Sequence, residues 1–317
     1  MRRTLRRGKY VMLVVSLLAV LSSTTARAQA VHVAVPVWIA ANECGAAHKF
    51  QATVNGKRAP VINALGPSSD EIILVVSDLT SNLSLIEPAK LALVTQISKL
   101  RSTTWVGLLR DQNGLHVLAN PAANRNPVLA AIQTISNNGQ PGLLETVASA
   151  LSLANAMSLR VPVRVAVLYV TDGSIYSYRE DYTNPVINQS DPYDLSRAFP
   201  EALVDNKISK LMGRVSSLRA PLFVVQLDFR RDSLSEAYQN GLQSLARATG
   251  GDSEICQSEA EIPDAISQMF SRITHTWLLT LAVPRKTSSD LNIHVSISCP
   301  KGSARLFWRT HFHLGEG

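Results

Sequence analysis

The chain has 317 residues, of which 46% are hydrophobic and 17% charged, and a formal net charge of +7. That length suits one large α/β domain with a modest appendage. Its three cysteines, Cys44, Cys256 and Cys299, are too few and too scattered for a disulfide scaffold or a paired C-x-x-C zinc site. The basic charge is concentrated at the start. MRRTLRRGKY is followed by the apolar run VMLVVSLLAVL and then by SSTTARAQA, the three-part layout of a signal peptide over residues 1–30, cleaved after Ala28 or Ala30. The apolar run is short for a membrane span, so a retained anchor is the alternative and an exported chain, periplasmic or extracellular, is the expectation. Cleavage removes six basic residues and no acidic ones, so the net charge of +7 falls to +1 and the case for a nucleic-acid partner goes with it. No membrane span is expected in what remains.

Residues 31–69 read as a β-rich segment. VHVAVPVWIA alternates in part, and Asn55-Gly56 between β-compatible runs is a strong hairpin signal. From residue 70 strands and helices alternate. EIILVVS (71–77) is a continuous apolar run of the kind shown by a parallel strand buried on both faces. Pro88 is expected to open a helix carrying Leu93, Ile97 and Leu100. TTWVGLLR (103–110) and GLHVLAN (114–120) read as neighbouring strands, and 127–135 and 142–157 as helices. VRVAVLYV (163–170) is a second apolar strand and ends in Thr171-Asp172-Gly173. Leu203, Lys207, Leu211 and Val215 mark a helical face, PLFVVQL (221–227) a strand, and a helix from about Leu234 closes at Gly250-Gly251. A last helix carries Ile262, Ile266, Phe270 and Ile273, and residues 276–317 form a β-rich tail. The expected fold class is α/β: a doubly wound, mostly parallel sheet with helices on both faces over residues 70–275. The two flanking β segments are expected to pack together. Cys256 with Cys299 is the expected disulfide, with free buried thiols as the alternative.

The chemistry gathers where the two central strands stop. Asp78 is followed by Thr80, Ser81 and Asn82, and Asp172 sits in its polar turn; in open α/β sheets ligands bind at these carboxyl ends. The sequence from about residue 70 to 275 resembles the von Willebrand factor type A domain, and with its flanks the exported VWFA-related proteins described from Acidobacteria. The resemblance implies a metal-ion-dependent adhesion site. In that family Asp-x-Ser-x-Ser follows the first strand, a threonine comes from a later loop, and an aspartate follows the fourth strand. Here the corresponding residues are Asp78, Thr80 and Asn82, and Asp172; the threonine position falls on Gln140 or Pro141, so one ligand is lost. The implied cofactor is a divalent cation, Mg or Mn, and the implied partner is a protein or cell-envelope ligand whose acidic side chain completes the coordination.

Two other readings compete. Asp, Thr, Ser and Asn before a helix are also preferred capping residues, and Asp172-Gly173 is an ordinary turn dipeptide. Alternatively, the two aspartates serve a metal-dependent hydrolase, although a phosphatase of the haloacid dehalogenase type needs an acid where Thr80 stands. No G-x-S-x-G elbow, Walker loop or H-E-x-x-H occurs, so no enzyme is expected. The long loop after Asp172 carries Tyr176, Tyr178, Tyr182 and Tyr193, four of the seven tyrosines in the chain, and is expected to form a partner-binding surface beside the metal.

Overall fold

The computed structural model describes residues 30–40, 49–80, 82–175, 201–285, 287–298 and 305–314. The signal peptide apart from Ala30, the tyrosine loop, Ser81, Cys44 and Cys299 lie outside them. Three sheets organise the rest.

The central sheet is built on β5 (Glu71–Asp78) and β8 (Arg164–Thr171), both buried along their whole length. These are the two continuous apolar runs of the sequence, and they pair in parallel as neighbours. β6 (Thr104–Asp111) lies parallel on the other side of β5, and β7 (Leu115–Ala122) turns back antiparallel at the edge. On the far side β9 (Leu222–Gln226) and β10 (Ser253–Ile255) complete the strand order β10-β9-β8-β5-β6-β7. The sheet is thus mixed α/β and mostly parallel.

The two faces of β5 account for the helices. Ile73 and Val75 point into a core shared with α1 (Leu83–Lys99), α2 (Asn126–Gln133) and α6 (Ile262–Thr274). Ile72, Leu74 and Val76 point into the opposite core, closed by α3 (Leu143–Arg160), α4 (Glu201–Val215) and α5 (Ser233–Thr249). Each aliphatic side chain so buried contributes roughly 1.5–3 kcal/mol, so these two layers dominate the stability of the fold. Gly250 ends α5 in the left-handed conformation, and Gly251 stands against the backbone of Leu222, where any Cβ would overlap the carbonyl.

The flanking segments interleave. β1 (Ala30–Ile39) pairs antiparallel with β11 (Trp277–Pro284) over eight residues, with β13 (Leu306–Trp308) and β4 (Val61–Leu65) at the edges of the same sheet. The third sheet has the order β14-β12-β2-β3, from β2 (Lys49–Val54), β3 (Lys57–Ala59), β12 (Asp290–Ser298) and β14 (His311–His313). Val33, Val35, Leu279 and Leu281 of one sheet share a core with Val54, Ile293, Val295 and Phe312 of the other. The β2–β3 turn is Asn55-Gly56, both at positive φ, as a two-residue hairpin of this type requires.

Two expectations change. α1 opens at Leu83 rather than Pro88, because Asn82 caps it: the Asn82 side chain accepts a hydrogen bond from the Ser84 N–H at 3.0 Å, and Pro88 falls inside the helix. In α4 Leu211 and Val215 are buried as expected, while Val204 takes the buried position in place of Leu203, and Leu203 and Lys207 are only half-buried. The disulfide expected between Cys256 and Cys299 involves a residue outside those described; Cys256 itself is buried in the core, its thiol pKa pushed up to about 12 by burial and then by Glu261 and Glu254.

Candidate metal centre at the strand ends

Asp78 and Asp111 end the adjacent parallel strands β5 and β6, one step beyond the paired residues Ser77 and Arg110. On the other flank Asp78 pairs with Thr171, and Asp172 follows. The register therefore sets Asp111 beside Asp78, with Asp172 one residue beyond Thr171, the partner of Asp78, and all three have no exposed surface.

Their surroundings differ. Asp78 Oδ2 accepts from the Tyr169 hydroxyl at 2.5 Å and from the Thr171 hydroxyl at 3.4 Å, while Oδ1 has no hydrogen-bond partner. Burial holds the Asp78 carboxyl well above the usual range, Asp111 adds to this, the Tyr169 bond opposes it, and Asp172 raises it further. Asp172 is occupied on both oxygens: Oδ2 accepts from the Thr80 N–H at 2.7 Å and Oδ1 from the Ser174 N–H at 3.2 Å. Asp172 thus straps the Thr80 backbone to the end of β8. The Thr80 hydroxyl oxygen itself is buried without a partner.

Asp111 is the residue that the sequence reading missed. Neither of its oxygens is hydrogen-bonded, and burial pushes its pKa to about 6; the Thr146 hydroxyl, which faces it outside bonding geometry, opposes the shift, and Glu145 adds to it. Its position follows from local stitching. Asn113 donates its N–H to the Gln140 carbonyl at 2.9 Å and accepts the Gln140 N–H on its side chain at 3.0 Å, while Gln112 bridges to Pro141. The 139–142 loop is drawn against the end of β6 in this way. A Cβ on Gly142 would overlap the Asp111 carboxyl and the Thr146 hydroxyl, so Asp111 fills the space in which a side chain of that loop would otherwise stand. Leu143, next in the chain, is held at φ 51, a left-handed conformation costly for a residue with a Cβ. Gln112 donates to the Leu79 carbonyl at 2.7 Å and to the Ser136 carbonyl, which leaves its own Oε1 buried without a partner.

In chain order the first strand of this sheet ends in Asp78 and the fourth is followed directly by Asp172, the positions that the resemblance assigns to the metal-binding aspartates. The six-stranded, mostly parallel sheet with helices on both faces is the α/β architecture that this resemblance implies. Solved structures similar to the chain include a von Willebrand factor type A protein from Catenulispora acidiphila, 11% identical, covering 91% of this chain and 74% of that one at TM-score 0.44. The vWF domain of the type V pili tip protein Mfa5 from Porphyromonas gingivalis is 10% identical over 65% of this chain and 95% of its own, at TM-score 0.44. The PilB minor pilin from Streptococcus sanguinis is 12% identical over 68% and 63%, at TM-score 0.46. No protein-family model matches the chain, and no curated protein matches it.

A cation fits this site in part. Among the described residues no three acidic, histidine or cysteine side chains converge closely enough to hold an ion between them. Asn82 is exposed and spends its side-chain oxygen on the helix cap, and Asp172 spends both of its oxygens on backbone N–H groups. What remains is a set of buried hard oxygens lacking any donor: Asp78 Oδ1, both Asp111 oxygens, Thr80 Oγ1 and Gln112 Oε1. Unpartnered buried oxygens are costly, and a magnesium or manganese ion needs only one or two carboxylates with water in its other positions.

Proposed function

We propose that this chain is an exported vWA-like binding module that recognises a protein or cell-envelope partner through the strand-end face of its central sheet, by way of a divalent cation held there. The observation that carries the reading is that Asp78 and Asp111, neighbours at the ends of β5 and β6, keep buried carboxylate oxygens without a hydrogen-bond partner. These particular atoms accept no hydrogen bond, and a cation is the species that turns several such acceptors from a cost into a binding site. Magnesium or manganese supplies an electrophilic point charge; the protein fixes its ligands, and an oxygen from the partner completes the shell. Thr80 enters through its hydroxyl, and Asp172 holds it in place. Tyr176, Tyr178, Tyr182 and Tyr193 lie outside the described residues; they follow Asp172 closely in the sequence, and they are assigned to the partner-binding surface on that ground. No helix among the described residues is long and apolar enough to cross a membrane.

Binding of the chain to cell-envelope preparations tests this. Retention in millimolar manganese that is lost in chelator and lost in Asp78→Ala is the expected outcome. Retention that is equal with and without chelator overturns the cation bridge.

A further inference from the structure

The vWA pattern asks for a threonine oxygen from the loop that here reads Gln140-Pro141-Gly142, and none is available there. Three observations mark what stands in its place. Asp111 lies beside Asp78 in the parallel register, one strand over. Its carboxyl occupies the volume that a side chain on Gly142 would need, on the side of the site from which the missing oxygen would come. It is fully buried with both oxygens unpartnered, whereas every other buried carboxylate of the site has at least one oxygen bonded.

The third aspartate is arranged in the opposite way. Asp172 faces two backbone N–H groups, and through the 2.7 Å bond to Thr80 it fixes the segment that carries the Thr80 hydroxyl. A carboxylate that already accepts two N–H bonds has less left to offer an ion than one that accepts none. The division of labour across the three strands is therefore legible in which oxygens are free.

We propose that Asp111 is a metal ligand of this site, replacing the absent loop threonine, so that the cation is held by Asp78 and Asp111 with the Thr80 hydroxyl, while Asp172 is a positioning residue acting through Thr80. This rests on the cation reading above and moves its centre of gravity from the β8–β5 side of the site to the β5–β6 side. Two carboxylates with neutral oxygens and water form an ordinary set for magnesium or manganese. The exchange also explains why Gly142 is a glycine at an ordinary φ of −90: the constraint there is space, and Asp111 takes it.

The test is manganese binding to the full chain, followed by the electron paramagnetic resonance signal of free Mn2+, for the wild type and for Asp78→Asn, Asp111→Asn and Asp172→Asn. Asp78→Asn and Asp111→Asn are each expected to weaken binding by more than about a hundredfold, and Asp172→Asn by about tenfold, the loss usual when a group that orients a ligand is changed. Unfolding in chelator supplies a second readout of opposite sign. There Asp111→Asn is expected to raise the melting temperature, because a neutral amide replaces an unpaired buried carboxylate, and a purely structural role for Asp111 would lower it. If Asp78→Asn loses the ion while Asp111→Asn keeps wild-type affinity, the assignment of Asp111 is overturned and the cation reading survives. If Asp172→Asn loses as much as Asp111→Asn, the positioning role of Asp172 is overturned. A wild type that takes up no manganese overturns both this assignment and the reading on which it rests.

Discussion

Arg164→Leu is expected to destabilise the protein by about 3–5 kcal/mol at pH 7.5, measured by urea unfolding, since it strands a buried charge. Glu71 and Arg164 are direct partners across β5 and β8 and form an ion pair at 2.8 Å with side-chain exposures of 2% and 4%. No second donor reaches Glu71, whose Oε2 is unpartnered. The guanidinium also donates to the carbonyls of Thr276 at 2.8 Å, Pro67 at 3.3 Å, Ile273 at 3.4 Å and Ser69 at 3.5 Å. These carbonyls lie where the chain enters and leaves the central sheet, so the one side chain ties β5 and β8 to both connections with the β-sandwich. Replacing both partners by apolar residues removes the stranded charge as well. Glu71→Met with Arg164→Met is therefore expected to cost less than Arg164→Met alone, despite losing the same carbonyl contacts. A loss below about 1 kcal/mol in Arg164→Leu would show that the pair does not bear on stability.

The metal-free protein is expected to lose stability as pH rises from about 4 to 7, the reverse of ordinary acid denaturation. Burial raises Glu71 to about 7 from 4.5, outweighing the lowering by Arg164 and then Arg101, and it raises Asp111 to about 6 from 3.8. Asp78 is shifted in the same direction. Each folded-state value lies above the unfolded one, so between the two the folded protein binds more protons. The stability these groups lend is fully present below the unfolded values and is lost as pH passes through the folded ones. Together the effect is on the order of a few kcal/mol. Melting temperatures in chelator should thus be higher at pH 5 than at pH 8. In millimolar magnesium the share belonging to Asp78 and Asp111 should shrink, because a cation favours their ionised forms. A melting temperature in chelator that climbs from pH 5 to pH 8 would contradict the account.

Much of the fold was legible because its strongest signals are physical ones. β5 and β8 are apolar without interruption because helices cover both faces, and Asn55-Gly56 turns as such a dipeptide must. The helix expected at Pro88 began too late because Pro88 was placed in its first turn, whereas Asn82, read as either ligand or cap, caps it at Leu83. The site was half legible. Asp78 and Asp172 stand out at the ends of apolar runs, but Asp111 is followed by Gln112-Asn113-Gly114, and an aspartate before Asn-Gly reads as turn chemistry. Asn113 and Gly114 do make that turn, at positive φ, and Asp111 is the last residue of the strand before it. Only the pairing of β5 with β6 puts it beside Asp78. Tyr169 was hidden in the same way: within VRVAVLYV it reads as a core aromatic, and its hydroxyl on Asp78 appears only in three dimensions.

The central claim is that the strand-end oxygens hold a divalent cation. Thermal unfolding of residues 31–317 at pH 7.5, first in chelator and then in millimolar magnesium, manganese or calcium, tests it beside the Asp78→Ala/Asp172→Ala double variant. An ion present at about ten times its Kd adds about 1.4 kcal/mol, a rise of a few degrees. The account predicts that rise in the wild type and its absence in the variant; equal melting temperatures with and without metal in the wild type would contradict it.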